Sequence, residues 1–144
     1  MDSWKRQFID KLGKAQVACA KRFEDSIDDA VNPVFQDLQG FLRDNGFKVS
    51  QPLREQGRRS YKFELAENAY LLVIMRFNGV GELEIRYEIF VPGNDPQLSK
   101  SVGRLADVSA KWADEQFRSG LDRFINLLAG EESTESAFEE LAVV

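Results

Sequence analysis

The residues best suited to chemistry form a short basic run interleaved with aromatic side chains. Arginine and lysine beside aromatic rings can hold phosphates while bases stack on the rings, so this run indicates an anion-binding or nucleic-acid-binding surface as one interpretation. Charged side chains also protect exposed strand edges, so a structural role fits the same pattern. The basic members are Arg54, Arg58, Arg59 and Lys62, and the aromatic members are Tyr61 and Phe63.

Enzyme chemistry finds little support in the remaining polar residues. The chain has no histidine, which excludes catalytic systems with an imidazole base and zinc sites with histidine ligands. Glu82 and Glu84 share one face of a predicted strand, but exposed carboxyl groups beside Arg86 make poor general acids. The single cysteine, Cys19, lies on the apolar side of a predicted helix, where a buried thiol is inert. We therefore expect no enzyme activity and no cofactor.

Charge alternates in blocks along the chain. Residues 1–22 hold six basic residues against two Asp, residues 23–46 hold one Arg against six acids, and residues 47–62 hold five basic residues against one Glu. Such blocks can attract each other within the fold or between two copies. The net charge of −5 argues against nucleic acid or a membrane as the main partner. Three aspartates of the acidic block share a helix face, but carboxylates alone seldom complete a hard-cation site, so we expect no bound metal. They are Asp25, Asp28 and Asp29.

Apolar residues recur every three or four positions near the N-terminus, which predicts an amphipathic helix over residues 3–31. The stripe is typical of a helix packed on a core. Basic residues near Trp4 and Phe8 leave contact with an anionic surface as an alternative. Asn32-Pro33 predicts a helix stop and the start of a second helix, which ends at Asn45-Gly46. The stripe consists of Trp4, Phe8, Leu12, Ala15, Cys19, Phe23, Ile27 and Ala30.

After Phe47 the apolar period changes from 3.6 to 2, which predicts strands. Four of them should form an antiparallel meander joined by turns that contain Gly or Asn. Residues 96–108 are predicted to be helical, with a fifth strand near residues 100–106 as the alternative. The four predicted strands cover residues 47–51, 60–65, 68–77 and 82–91.

A broad apolar face from Ser109 onward predicts a C-terminal helix that ends at Gly130. This helix should pack on the sheet. The fold class is therefore α+β, with two N-terminal helices, a four-stranded antiparallel meander and the C-terminal helix. With 144 residues, the chain is long enough to bury a real core. We expect a single domain over residues 3–129 and an acidic, flexible tail over residues 130–144.

The strand over residues 68–77 is apolar on both faces. Tyr70, Leu72 and Ile74 alternate with a second apolar set that should face the helices. A lone domain seldom leaves such a strip in water, so the N-terminal helices, a second copy of the chain or another protein should cover it. These three residues are the predicted partner-binding site, and a symmetric homodimer is one way to cover them. The second set is Leu71, Val73, Met75 and Phe77.

These patterns favour a non-enzymatic protein-interaction or chaperone-like module. A cytoplasmic location is expected because nothing resembles a signal peptide or a membrane span, and one cysteine cannot form an internal disulfide. Anion or nucleic-acid binding through residues 54–62 is the first alternative. A small-ligand carrier with a pocket between the sheet and the helices is the second.

Overall fold

The structure is a computed structural model that describes residues 3–130. It confirms the α+β class, with a layer of helices on an antiparallel sheet. The predicted acidic tail, apart from Gly130, lies outside the described residues. In chain order the elements are helix α1 (Ser3–Ser26), a π-helical turn (Ile27–Val31), helix α2 (Asn32–Asp44), strands β1 (Lys48–Val49), β2 (Leu53–Glu55), β3 (Arg58–Ala66), β4 (Ala69–Phe77), β5 (Glu82–Phe90) and β6 (Gln97–Arg104), a 3₁₀ turn (Leu105–Asp107) and helix α3 (Ala110–Leu128).

The helix stop expected at Asn32-Pro33 is wrong, because the chain stays helical from α1 into α2. Asn32 is helical, with φ −58° and ψ −42°, and its backbone N–H donates to the carbonyl of Ile27. That bond spans five residues, so the turn before the proline is widened. Pro33 has no N–H to donate, so one regular helical hydrogen bond is missing at this position. The widened turn lies there. The side chain of Asn32 does not cap α2; its oxygen accepts a 2.6 Å hydrogen bond from the Tyr61 hydroxyl.

The sheet has strand order β1-β3-β4-β5-β6, with β2 also paired to β3, and every pairing is antiparallel. The first predicted strand, residues 47–51, is shortened to β1, and β2 follows Pro52, where no strand was predicted. Residues 97–104 form the fifth strand of the meander instead of the favoured helix. Leu98 and Val102 are four residues apart, which fits a helical turn and also two strand periods. Pairing with β5 along the whole of β6 satisfies the hydrogen-bonding groups of its backbone, and this pairing selects the strand over the helix.

One face of the sheet, which we call the covered face, packs against α2 and α3. Its aromatic centre joins Phe35 of α2, Phe117 of α3 and two residues of β3, Tyr61 and Phe63, with ring centroids 4.6–6.0 Å apart. All four side chains are fully buried. The expected packing of the C-terminal helix on the sheet is confirmed, and the Ser109 hydroxyl caps its first turn.

Helix α1 divides into two parts. Phe23, with Ile27 beyond it, is fully buried, whereas Trp4, Phe8 and Leu12 are exposed by 65%, 55% and 42%. The expected core stripe is therefore wrong for residues 4–19, and Cys19 is half-buried where a buried thiol was expected. Residues 3–22, which span about 30 Å at the helical rise, therefore extend away from the core. No helix within residues 3–130 has the length and apolarity to cross a membrane.

Candidate protein-docking face

The second sheet face, which we call the open face, has no helix on it. The end of α1, through Phe23 on Phe77, and α2 both pack on the covered face, so the N-terminal helices do not cover the predicted strip, contrary to one expectation. Tyr70, Leu72 and Ile74 lie on the open face and are half-buried by their neighbours within the sheet. The register assigns the following side chains to this face: Lys48 of β1; Leu53 and Glu55 of β2; Arg58, Ser60, Lys62 and Glu64 of β3; Tyr70, Leu72, Ile74 and Arg76 of β4; Glu82, Glu84, Arg86, Glu88 and Phe90 of β5; Leu98, Lys100, Val102 and Arg104 of β6.

Apolar side chains occupy the middle of the open face, in cross-strand rows with charged neighbours. Tyr70 lies opposite Phe90 with stacked rings whose centroids are 5.7 Å apart. Beside Ile74 the face forms a groove of about 380 Å³ whose far wall is the exposed Leu98. The two central rows read Lys62–Leu72–Glu88–Leu98 and Ser60–Ile74–Arg86–Lys100.

Next to the apolar rows, one carboxylate is shared by three cations. The Glu84 carboxylate accepts a 2.7 Å hydrogen bond from Arg86 and lies 3.6 Å from Lys100 and 3.9 Å from Arg76. The Arg86 hydrogen bond, aided by the charges of Arg86, Lys100 and Arg76, holds the pKa of Glu84 below its usual range, although partial burial opposes the shift. One acid among three cations leaves this part of the open face positive.

Tyr70 is half-buried on the open face, and its hydroxyl group is already hydrogen-bonded within the chain. The hydroxyl donates to the Glu88 carboxylate, and this hydrogen bond, together with desolvation and the charge of Glu88, raises the pKa of Tyr70. The Lys62 ammonium lies 4.8 Å from the ring centroid. A partner would therefore meet Tyr70 mainly as an apolar surface, because its polar group is satisfied within the chain.

The open face differs in charge from the chain as a whole. Its side chains include seven basic and five acidic residues, within a chain of net charge −5. A surface with an apolar centre and surplus positive charge selects an acidic partner over a basic one. The basic residues are Lys48, Arg58, Lys62, Arg76, Arg86, Lys100 and Arg104, and the acidic ones are Glu55, Glu64, Glu82, Glu84 and Glu88.

The four residues of the predicted anion site are not brought together. Strand alternation places Arg58 and Lys62 on the open face, whereas Arg54 and Arg59 face the helices. Arg59 is only 1% exposed and makes ion pairs of 2.9 Å with Glu24 and 3.0 Å with Asp28, and Arg54 lies 3.5 Å from the same glutamate. The acidic and basic blocks of the sequence thus attract each other within the fold.

The space between the sheet and the helices, where the sequence suggested a ligand pocket, is filled around the aromatic centre. Burial raises the pKa of Tyr61, and it raises the pKa of Tyr87 to about 12. The Tyr87 hydroxyl is satisfied by the side-chain oxygen of Gln116 at 2.8 Å. These buried hydroxyl groups have structural partners within the chain.

Two of the three aspartates that could have held a cation, Asp25 of α1 and Asp28 of the π-helical turn, are paired with basic residues. Asp25 lies 2.7 Å from Lys21, and Asp28 bonds Arg59. Within residues 3–130 no group of three potential metal ligands comes together.

Sequence reasoning found the β4 strip but missed the residues of β6 that complete the face. Leu98 and Lys100 were assigned to a helical segment, so their place beside β5 was not foreseen. The alternation 98, 100, 102 was the signal that could have identified them. The cluster around Glu84 also depends on Lys100, so it too became visible only with the fold.

Comparison of the chain with protein families, with curated proteins and with solved structures finds no match.

Proposed function

We propose that this protein is a non-enzymatic protein-binding module whose docking surface is the open face. One observation carries the proposal: the helices pack on one face of the sheet, and the other face keeps an apolar strip along β4 at Tyr70, Leu72 and Ile74, flanked by charged residues. Large exposed apolar patches rimmed by polar residues typically mark interaction sites. Tyrosine and arginine, which are enriched among the residues that dominate binding energy, lie here at Tyr70 and Arg86.

The partner is an amphipathic segment of another protein, with apolar side chains flanked by acidic ones. The apolar side chains would pack on Leu72 and Ile74, in and beside the groove that ends at Leu98. The acidic side chains would meet Lys62, Lys100 and the surplus positive charge of the face. The surface is therefore matched in both hydrophobicity and charge to one kind of segment.

The test is a selection of random peptides, displayed on phage, against the immobilised full chain. We expect the enriched peptides to combine apolar and acidic residues, and we expect Leu72→Asp to weaken their binding at least tenfold in calorimetric titrations. Arg86→Glu should weaken binding and reduce its dependence on salt, because a favourable charge contact is reversed. Unchanged thermal unfolding midpoints would show that both variants keep the fold.

Val80→Asp is the matched control. Val80 is 71% exposed in the turn between β4 and β5, outside the open face, so the substitution adds the same charge elsewhere. Peptide binding should be unchanged in this variant. Enrichment of basic peptides, or equal loss of binding in Leu72→Asp and Val80→Asp, would refute the docking surface. A dimer of the free chain that dissociates on Leu72→Asp would instead assign the open face to self-association.

A further inference from the structure

Three arginines from neighbouring strands line a single cleft of about 340 Å³ on the open face, which we call the arginine cleft. They are Arg58 of β3, Arg76 of β4 and Arg86 of β5. The turn between β2 and β3 forms one wall of the cleft, and Ile74 contributes an apolar surface. Of the anion-binding set expected from the sequence, the cleft contains Arg58, and strand pairing supplies the other two arginines.

Strand pairing holds these arginines close together. Arg58 lies directly opposite Arg76 in the register of β3 and β4, and the Cβ atoms of such a pair are about 5 Å apart. Arg86 is a diagonal neighbour of Arg76, because the residue directly opposite Arg76 on β5 is Glu84. Like charges directly opposite each other destabilise a sheet. A bound anion would offset this repulsion.

The carboxylates beside the cleft neutralise part of its positive charge. Arg58 lies 3.7 Å from Glu55, and Glu84 is shared by the other two arginines and by Lys100. Counted over these ion pairs, four cations stand against two carboxylates, which leaves two positive charges. Each of the three arginine side chains is about half exposed, and exposed ion pairs are weak. The arginines can therefore turn to a ligand at little cost.

A phosphate monoester matches the arginine cleft better than a carboxylate does. It carries a charge of about −1.5 to −2 at pH 7 and three acceptor oxygens, whereas a carboxylate carries a single charge and two oxygens. Arginine binds phosphate with paired N–H donors, and apolar walls focus the field of the charges in a cleft. We propose that the arginine cleft binds a phosphate monoester, carried on a phosphorylated side chain of the segment that docks on the open face.

The position of the cleft connects it with the docking surface. Ile74 and Arg86 line both the arginine cleft and the groove of about 380 Å³ that ends at Leu98. In an extended segment, residues two positions apart are about 7 Å from each other. An apolar side chain in the groove therefore brings a phosphorylated residue nearby in the segment to the arginines. The carrier of the phosphate rests on the function proposed above, whereas the phosphate site rests on the cleft alone.

Phenyl phosphate tests the cleft without a peptide. In nuclear magnetic resonance titrations of the full chain, we expect the signals of the three arginine side chains to shift and saturate. Benzoate, with the same ring and one charge, should bind at least about tenfold more weakly. Arg76→Gln should weaken phenyl phosphate binding at least about tenfold, because it removes charge-assisted hydrogen bonds. Arg118→Gln is the matched control, since Arg118 is exposed on α3, away from the open face.

Phosphorylated peptides test the carrier. Each acidic residue of a peptide selected on the open face is replaced in turn by phosphoserine, and the parent and phosphorylated forms are compared by calorimetric titration. We expect at least one phosphorylated form to bind about tenfold more tightly than its parent, and Arg76→Gln to remove most of this gain. Arg118→Gln should preserve the gain. Leu72→Asp should weaken both forms, because it disturbs the apolar contacts of the docked segment.

The outcomes separate the two proposals. The phosphate site is overturned if phenyl phosphate shifts no arginine signal, binds no better than benzoate, or is weakened equally by Arg76→Gln and Arg118→Gln. Phenyl phosphate binding without a gain in any phosphopeptide would overturn the phosphorylated partner and leave a site for small phosphate esters. If no peptide docks, the docking surface fails, while the phenyl phosphate titration still decides the cleft. Unchanged unfolding midpoints would show that the variants keep the fold.

Discussion

The covered and open faces of the sheet are built from alternate residues of the same strands, but their environments differ. On β4, Leu71 and Val73 are fully buried, whereas the intervening Leu72 is only half-buried. Both faces of this strand are apolar, so hydrophobicity alone does not select the face that the helices cover. The neighbouring strands make the difference, because they place charges on the open face beside the apolar residues of β4.

The helices pack on the face whose burial costs less free energy. A helix over the open face would bury several charges of β3, β5 and β6, and buried charges without good partners are strongly destabilising. On the covered face, the α3 residue Gly120 lets the helix approach closely: a Cβ there would lie 3.0 Å from Tyr87 and 3.2 Å from Leu71. The covered face stabilises the fold, and the open face is the one that we propose for binding.

The largest effect should separate the two faces by stability. Phe117→Ala removes a fully buried ring from the aromatic centre and should cost about 3–5 kcal/mol of unfolding free energy. Leu72→Ala on the open face should cost about 1 kcal/mol or less, because the side chain buries only part of its surface. Urea unfolding of the two variants measures both values. Similar losses would show that the open face is part of the stabilising core.

A smaller effect should report how closely α3 approaches the covered face. Gly120→Ala adds a methyl group against Tyr87 and should destabilise by about 1–3 kcal/mol, the usual cost of overpacking. Gly40→Ala in α2 is the matched control, because no atom lies within 4 Å of the added methyl group. The higher helix propensity of Ala should stabilise this variant by up to about 1 kcal/mol. A neutral or stabilising Gly120→Ala would mean that α3 can move away from the sheet.

The pKa values of the three tyrosines can be used to compare the two faces. This comparison involves the smallest of the expected energetic effects. Burial raises the pKa of Tyr87 to about 12 and also raises that of Tyr61, both on the covered face. Unfolded tyrosine has a pKa near 10, so the native state holds more protons above that pH. The stability that these two groups contribute is present below about pH 10 and is lost as the pH rises toward the folded pKa.

In an alkaline titration, followed by tyrosinate absorbance, Tyr70 on the open face should ionise first. Tyr61 and Tyr87 should ionise only as the near-ultraviolet circular dichroism of the folded state disappears. Glu88→Gln removes the charged acceptor and should lower the pKa of Tyr70 toward its ordinary value, while the other two transitions stay unchanged. Simultaneous ionisation of all three in the folded protein would contradict the difference between the faces.

Local patterns determined much of this protein from the sequence alone. Period-two alternation located β3, β4 and β5, and the apolar face after Ser109 located α3, because these features depend on residues a few positions apart. The strip at Tyr70, Leu72 and Ile74 was recognised for the same reason. Gly46 ends α2 with φ +90°, a conformation that favours glycine, so the sequence also predicted this helix end.

Only the tertiary structure decided which apolar surfaces would be buried. The stripe of α1 has one continuous pattern, yet Phe23 is in the core and Trp4 is not, because the sheet covers only the last turns of the helix. Leu98 fits a helix and a strand equally well, and pairing with β5 settled the choice. Arg58 and Arg59 are adjacent residues of the same type, but strand alternation places Arg58 on the open face and Arg59 against the Glu24 carboxylate. Burial and long-range pairing depend on which segments meet in space, and short sequence patterns do not contain that information.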